Sequence, residues 1–282
     1  MNGLGSYGPM PWRQTSWDAR AAVNFIAGGM GGGLIAFATL SGATGTALPA
    51  LILIGLGLVA LGLFSVALEL GRPLRAMRVL TNVRSSWMSR ESWAALLLFP
   101  MGLAAALGVP SLAWLAAALA LAFVYCQGRM LQAAKGIPAW REPLLPLLFV
   151  ISGLAEGAGI LLATAPFHGA ATMTTVALFV ALLLARIAVW VVYRRRLERG
   201  TARESRAALD GAGRVLLLAG TLAPIALAAL AVFAGVYALP VAALAGALAA
   251  FAGAAAKLVI VTRAAFNQGF ALARMPVRGV RR

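Results

Sequence analysis

The chain has 282 residues, 62% of them hydrophobic and only 11% charged, with a mean hydropathy of +0.90; that balance excludes an ordinary soluble domain. A single cysteine, Cys126, and a single histidine, His168, exclude an intramolecular disulfide, an iron–sulfur cluster held by this chain, and a haem with two imidazole ligands. The formal net charge of +16 on so apolar a chain reads as an orientation signal and an attraction to anionic lipids, not as a nucleic-acid surface.

An all-α integral membrane protein is therefore expected. Runs of mostly apolar residues of crossing length predict eight transmembrane helices, at 21 to 42, 47 to 70, 92 to 108, 110 to 131, 144 to 165, 170 to 193, 213 to 236 and 239 to 262. The preceding segment, 1 to 20, carries Trp12, Trp17, Arg13 and Arg20 and reads as a retained interfacial anchor. In the first helix Gly28 pairs with Gly32 and Gly29 with Gly33, a spacing that lets backbones approach closely in lipid. Gly55, Gly57 and Ala60 mimic a dinucleotide fingerprint, but they lie inside an apolar helix with no strand before them.

Eight crossings place the N-terminus, the even-numbered connections and the C-terminal tail on one side. That side holds 20 of the 24 Lys and Arg residues, and the opposite connections hold none. The remaining four, Arg129, Arg186, Arg214 and Lys257, lie within helices toward the basic side. By the positive-inside rule the basic face, with both termini, is expected in the cytoplasm.

Chemistry concentrates in the long basic connection from Leu68 to Ser92. Glu69 closes the second helix and Glu91 opens the third, with Arg72, Arg75, Arg78, Arg84 and Arg90 between them. Two carboxylates at the membrane boundary can exchange protons at the edge of a low-dielectric pocket; a charge-balanced interfacial loop is the alternative reading. Tyr125, Gln127 and Arg129 at the basic end of the fourth helix, and Asn24 near the start of the first, offer hydrogen bonds at the same level. Deeper lie Glu156, Arg186 and Lys257. An ionised Glu156 near mid-membrane would cost several kcal/mol unless paired, so an intramembrane ion pair with Arg186 or Lys257 is expected, with a proton path as the other possibility. His168 is expected in a solvated loop on the opposite face.

A helix ending in an ionisable residue, followed by Leu70-Gly71-Arg72-Pro73-Leu74-Arg75-Ala76 and by Ser89-Arg90-Glu91 at the next helix, resembles the membrane anchor subunits of the dimethyl sulfoxide reductase type. Arg129 and Ile137-Pro138-Ala139-Trp140 match a second family feature, an Arg near the end of the fourth helix before a V/I-P-x-W loop. The resemblance implies a haem-free quinone-binding anchor of two four-helix bundles, here 21 to 131 and 144 to 262. A basic connection at 132 to 143 would join them, and a basic tail from 263 to 282 would follow. It implies docking to a four-cluster ferredoxin-like iron–sulfur subunit, which meets a molybdenum or tungsten bis-pyranopterin catalytic subunit. The quinone, menaquinone or ubiquinone, would be served by Glu69, Glu91, Arg72, Arg75, Tyr125, Arg129 and Asn24. Docking would fall to Arg78, Arg84, Arg90, Trp87 and Trp140. The bacterial dimethyl sulfoxide reductase anchor carries His where this chain has Glu69.

Because the motif loop lies on the basic face, the partner enzyme is expected to act on a cytoplasmic compound. In that respect the chain looks similar to the membrane subunit of phenylacetyl-CoA:acceptor oxidoreductase. A small-solute or proton-coupled transporter, using Glu156, Arg186 and Lys257 as its site, is the competing function class. A passive anchor is a third. Reporter fusions after residues 140 and 200 should read cytoplasmic and fusions near 45 and 168 external, as the charge asymmetry requires; the reversed pattern would remove the cytoplasmic-substrate inference.

Overall fold

The computed structural model describes residues 11–68, 78–197 and 201–267. Helices α1 (Ala19–Leu40), α2 (Ala47–Ala67), α3 (Trp87–Ala106), α4 (Ala113–Ala133), α5 (Leu145–His168) and α6 (Met173–Arg196) are followed by α7 (Arg203–Leu217), α8 (Ala223–Phe233) and α9 (Ala238–Leu258). A π-helical turn, Leu218–Leu222, joins α7 and α8 into one rod, and a second, Val259–Arg263, continues α9. No strand occurs among the described residues, so the all-α class holds. Among the described residues, seven helical rods are long and apolar enough to cross a membrane. By that measure the expected count of eight is not exact, because α3 falls short of it. The third predicted segment forms α3, which starts earlier, at Trp87, and its opening turns carry Arg90 and Glu91, so it lacks a full apolar crossing length.

Local chemistry explains the helix starts and stops. Asp18 caps α1 by accepting from the Arg20 amide at 2.7 Å, Ser86 caps α3 by accepting from Ser89, and Thr172 caps α6 by accepting from Thr175. Gly169, at φ 69°, ends α5 in the left-handed conformation that favours glycine. Arg194, Arg195 and Arg196 fill the last turn of α6, where cations suit the helix dipole. The rod formed by α7 and α8 begins at Arg203, ahead of the expected 213, because Leu209, Ala212 and Leu216 already form a buried stripe there.

Helix α1 is the central strut, packed on α2, α4, α5 and α9. Its glycines make this possible: a Cβ on Gly33 would overlap the Gly153 carbonyl of α5, and one on Gly31 would overlap the Gly55 carbonyl of α2. Close backbone approach replaces the hydrophobic drive that lipid cannot supply. On the far side α5 meets α9 in the same way, with a Cβ on Gly159 falling 2.5 Å from the Gly246 carbonyl. The segment before α1 is tied to the end of α9: Gln14 donates its backbone amide to Ala265 O at 2.9 Å, and Trp12 and Asn267 exchange two hydrogen bonds.

Gly33→Ala should destabilise the protein by about 1–3 kcal/mol, because the overlap is with α5 backbone, which cannot move aside as the end of a side chain can. Gly57→Ala, with nothing within 4 Å of the added methyl, should be neutral or stabilise by up to about 1 kcal/mol. Unfolding of the purified chain in detergent measures both, and equal effects at the two positions would refute the backbone-seam account.

Candidate functional site

Near the basic end of α1, α2 and α3 lies a cavity of about 330 Å³. Its walls are mostly apolar, including Phe25, Leu63, Val66, Met88 and Met130, with Trp17 contributed by the segment before α1. Glu91 stands on this wall and is only 4% exposed. The first turn of α3 buries it because Ser89 and Glu91 face inward while Arg90 turns outward, where its guanidinium donates to the Val83 and Arg84 carbonyls. Asn24, one turn into α1, donates Nδ2 to Glu91 Oε1 at 3.3 Å. Gln127 of α4 in turn donates Nε2 to the Asn24 carbonyl at 3.0 Å. Three helices thus converge polar groups on one carboxylate beside an apolar space, the composition of a small-molecule pocket.

Several residues singled out in the sequence lie elsewhere. Tyr125 and Arg129 gather with Trp87 on the surface of the basic face: Arg129 donates to the Tyr125 hydroxyl at 3.2 Å, and the Arg129 and Arg90 guanidinium groups lie 4.5 and 4.1 Å from the Trp87 ring centre. Arg129, Lys135 and Arg141 border a separate, open depression there. Trp140, expected at the docking surface, is buried instead; it donates Nε1 to Ile260 O at 2.8 Å and packs 5.0 Å from Trp17. Arg78 and Arg84 lie on the exposed connection. Glu69, Arg72 and Arg75 fall outside the described residues.

Mid-bundle, the expected ion pair is present and its partner is defined. Lys257 Nζ donates to Glu156 Oε2 at 2.6 Å, both side chains being buried. Arg186 is also buried but spends its hydrogen bonds on backbone carbonyls: Nη1 donates to Ala249 O at 3.1 Å and Nη2 to Gly220 O in the π-helical turn. That turn, with its altered hydrogen-bond register, presents Gly220 to the guanidinium. Glu156 and Arg186 both border the Cα of Gly253, so the two cations flank one carboxylate. On the opposite face His168 ends α5 instead of lying in a loop; its ring bonds the Thr164 hydroxyl at 3.0 Å and accepts from the Ala170 amide at 3.1 Å.

Trp17, Phe25 and Met130 were not legible as pocket residues. Trp17 looked like a lipid-interface anchor, yet it stacks on Phe25 at 5.6 Å and closes the cavity. Sequence carries no signal for this, because the tie between the N-terminal segment and the end of α9 is made by residues some 250 apart.

The fold and site define a multi-pass, all-helical membrane protein with an apolar pocket near its basic face that has a buried carboxylate on its wall. Residues 34–236 match the family model of the DMSO reductase anchor subunit (DmsC), and the chain belongs to that family. A comparison with curated proteins gave no match.

The flanking cations generate an asymmetric prediction. Glu156→Gln leaves two buried cations uncompensated and should cost about 3–5 kcal/mol, whereas Lys257→Met leaves the oppositely charged Arg186 and Glu156 and should cost clearly less. Thermal unfolding of both variants in detergent gives the order; Lys257→Met as the more damaging change would refute this charge balance.

Proposed function

We propose that this anchor subunit binds a quinone, menaquinone or ubiquinone, in the Glu91 cavity. There it would link the membrane quinone pool to an iron–sulfur subunit of a molybdenum or tungsten oxidoreductase. The single observation that carries this reading is a buried carboxylate, held by Asn24, on the wall of a mostly apolar cavity of about 330 Å³. That volume is at the small end for ligand sites and suits a ring with the first part of an isoprenoid tail. Bound quinone supplies a two-electron, two-proton redox couple, chemistry for which the chain's own side chains have no substitute.

Each residue then has a definite task. Glu91 holds or releases a proton at its carboxylate, Asn24 orients that carboxylate through Nδ2, and Trp17 and Phe25 keep water from the ring. Glu69, with Arg72 and Arg75, would supply the second boundary carboxylate and its counter-charges. Arg78, Arg84, Arg90 and Trp87, on or beside the basic face, would meet a partner surface of acidic character. Tyr125 and Arg129 belong with that docking cluster in this reading, since they border Trp87 and not the cavity. The partners would be a four-cluster ferredoxin-like iron–sulfur subunit and a bis-pyranopterin catalytic subunit, both on the basic side.

By the charge asymmetry that side is the cytoplasm of a bacterial inner membrane, with anionic lipids at the basic loops. The substrate of the catalytic partner would be a cytoplasmic compound, and phenylacetyl-CoA, which cannot leave the cell, fits that requirement. Membership of the anchor family favours this reading over a small-solute transporter.

In the intact complex, Glu91→Gln should slow quinone-coupled turnover by roughly 100-fold, the low end for a positioned proton carrier, with dye-coupled turnover retained. Wild-type quinone turnover in an intact complex would place the quinone elsewhere. Co-purification should bring down the two partner subunits, and a complex lacking an iron–sulfur protein would refute the electron-transfer role.

A further inference from the structure

A groove of about 470 Å³ opens between α6 and α7 on the basic side, apart from the Glu91 cavity. Ile187, Val191 and Leu217 make its inner wall apolar. Val191 and Leu217 are exposed on rods of membrane-crossing length, so that wall meets lipid. Toward the end of α6 the groove turns cationic: Arg194, Arg195 and Arg214 border it, with Asp210 as its one carboxylate. Arg194 spends its charge on Asp210 through two hydrogen bonds, at 2.7 and 2.9 Å. Arg195 and Arg214 are exposed and donate no hydrogen bond among the described residues. The groove therefore holds two surplus positive charges, and along α6 its apolar wall reaches about 10 Å deeper, from Arg194 to Ile187.

Trp190 supplies an independent feature. It lies one turn inward of Arg194, forms part of the groove wall and is only 4% exposed. Its indole Nε1 has no hydrogen-bond acceptor among the described residues. The indole edge reaches this position because Gly213 has no side chain: a Cβ there would stand 2.6 Å from Nε1. A buried indole N–H usually finds an acceptor, so one with none in the chain points to an acceptor from outside it.

From the membrane surface inward, the groove thus offers two unpaired guanidinium groups, then a hydrogen-bond donor, then an apolar wall. A phospholipid presents the matching series: phosphate, ester carbonyl and acyl chain. We propose that the α6–α7 groove binds one anionic phospholipid. Arg195 and Arg214 take its phosphodiester, Trp190 Nε1 donates to an ester carbonyl, and the acyl chain lies along Ile187, Val191 and Leu217. An acidic protein surface or a free phosphate would satisfy the cations but would leave the lipid-facing wall and the indole N–H unused. The site also has a structural use: α6 packs on α5 whereas α7 packs on α9, and the lipid fills the seam between the two rods. None of this depends on what the Glu91 cavity binds.

Native mass spectrometry of the purified full chain, released from detergent, tests the site with dioleoylphosphatidylglycerol, dioleoylphosphatidylcholine and inorganic phosphate as probes. The wild type should retain one phosphatidylglycerol at concentrations where neither phosphatidylcholine nor phosphate is retained. Arg195→Gln and Arg214→Gln should each weaken that retention by about fivefold, and together by roughly 30-fold, the scale for arginines at an anionic surface. Trp190→Phe keeps an aromatic ring without the N–H and should weaken it by about fivefold, the scale of one hydrogen bond. Because both arginines are exposed, the double variant should unfold at the wild-type temperature in the absence of lipid. Equal retention of phosphatidylcholine and phosphatidylglycerol, or unchanged retention in the folded double variant, would overturn the site. Displacement of the lipid by inorganic phosphate would reassign the groove to a free anion. Loss of a partner subunit from the intact complex in the double variant, with lipid retention unchanged, would reassign it to protein docking.

Discussion

The arrangement depends on backbone meeting backbone along α1. Inside a membrane, apolar side chains gain nothing by leaving lipid for protein, so helices associate through van der Waals contact and hydrogen bonds made at close range. Gly31 against Gly55 and Gly33 against Gly153 bring α1 within touching distance of both α2 and α5. Asn24 and Gly29 are on the same helix as the glycine seam, so the pocket on one side of α1 and the ion pair on the other are held at fixed depths relative to each other.

Polar groups in this setting are expensive and accordingly grouped. Glu91, Asn24 and Gln127 share hydrogen bonds at one level, and Lys257, Glu156 and Arg186 share charge at a deeper one. The two π-helical turns sit beside the deeper group: Gly220, in one, accepts from Arg186, and Lys257 lies two residues before the other. A widened helical turn frees carbonyls and shifts the helix face. A buried guanidinium far from water needs that kind of accommodation.

The basic face has a different design. Trp87 carries a guanidinium within cation–π range from both Arg90 and Arg129, which stiffens long side chains that would otherwise be mobile on a surface. Such a face is ready to receive an acidic protein surface with little loss of side-chain freedom. It is laterally separate from the cavity, so binding a partner and binding a small molecule need not compete for the same residues. The anchor role of the family and the proposed redox role can therefore coexist in one chain of modest length.

Much of this was legible in the sequence for one reason: a bilayer imposes its thickness on the chain. Apolar runs, the one-sided placement of Lys and Arg, and the cost of a lone Glu156 are each written in consecutive or simply counted residues, and they determined the helical class, the basic side and the need for an ion pair. The glycine spacing announced that the first helix packs tightly. Which helix it packs against, which cation bonds Glu156, and where Trp140 and Trp17 point were decided only by tertiary structure. Lys257 lies 101 residues from Glu156, and Trp140 lies 120 from its acceptor. Helix-by-helix periodicity cannot select between two cations at similar depth. The third helix shows the limit from the other side: its opening turns look too polar to cross a membrane, and only packing against α2 and α4, with Asn24 of α1 bonded to it, turns Glu91 from a surface charge into part of a pocket wall.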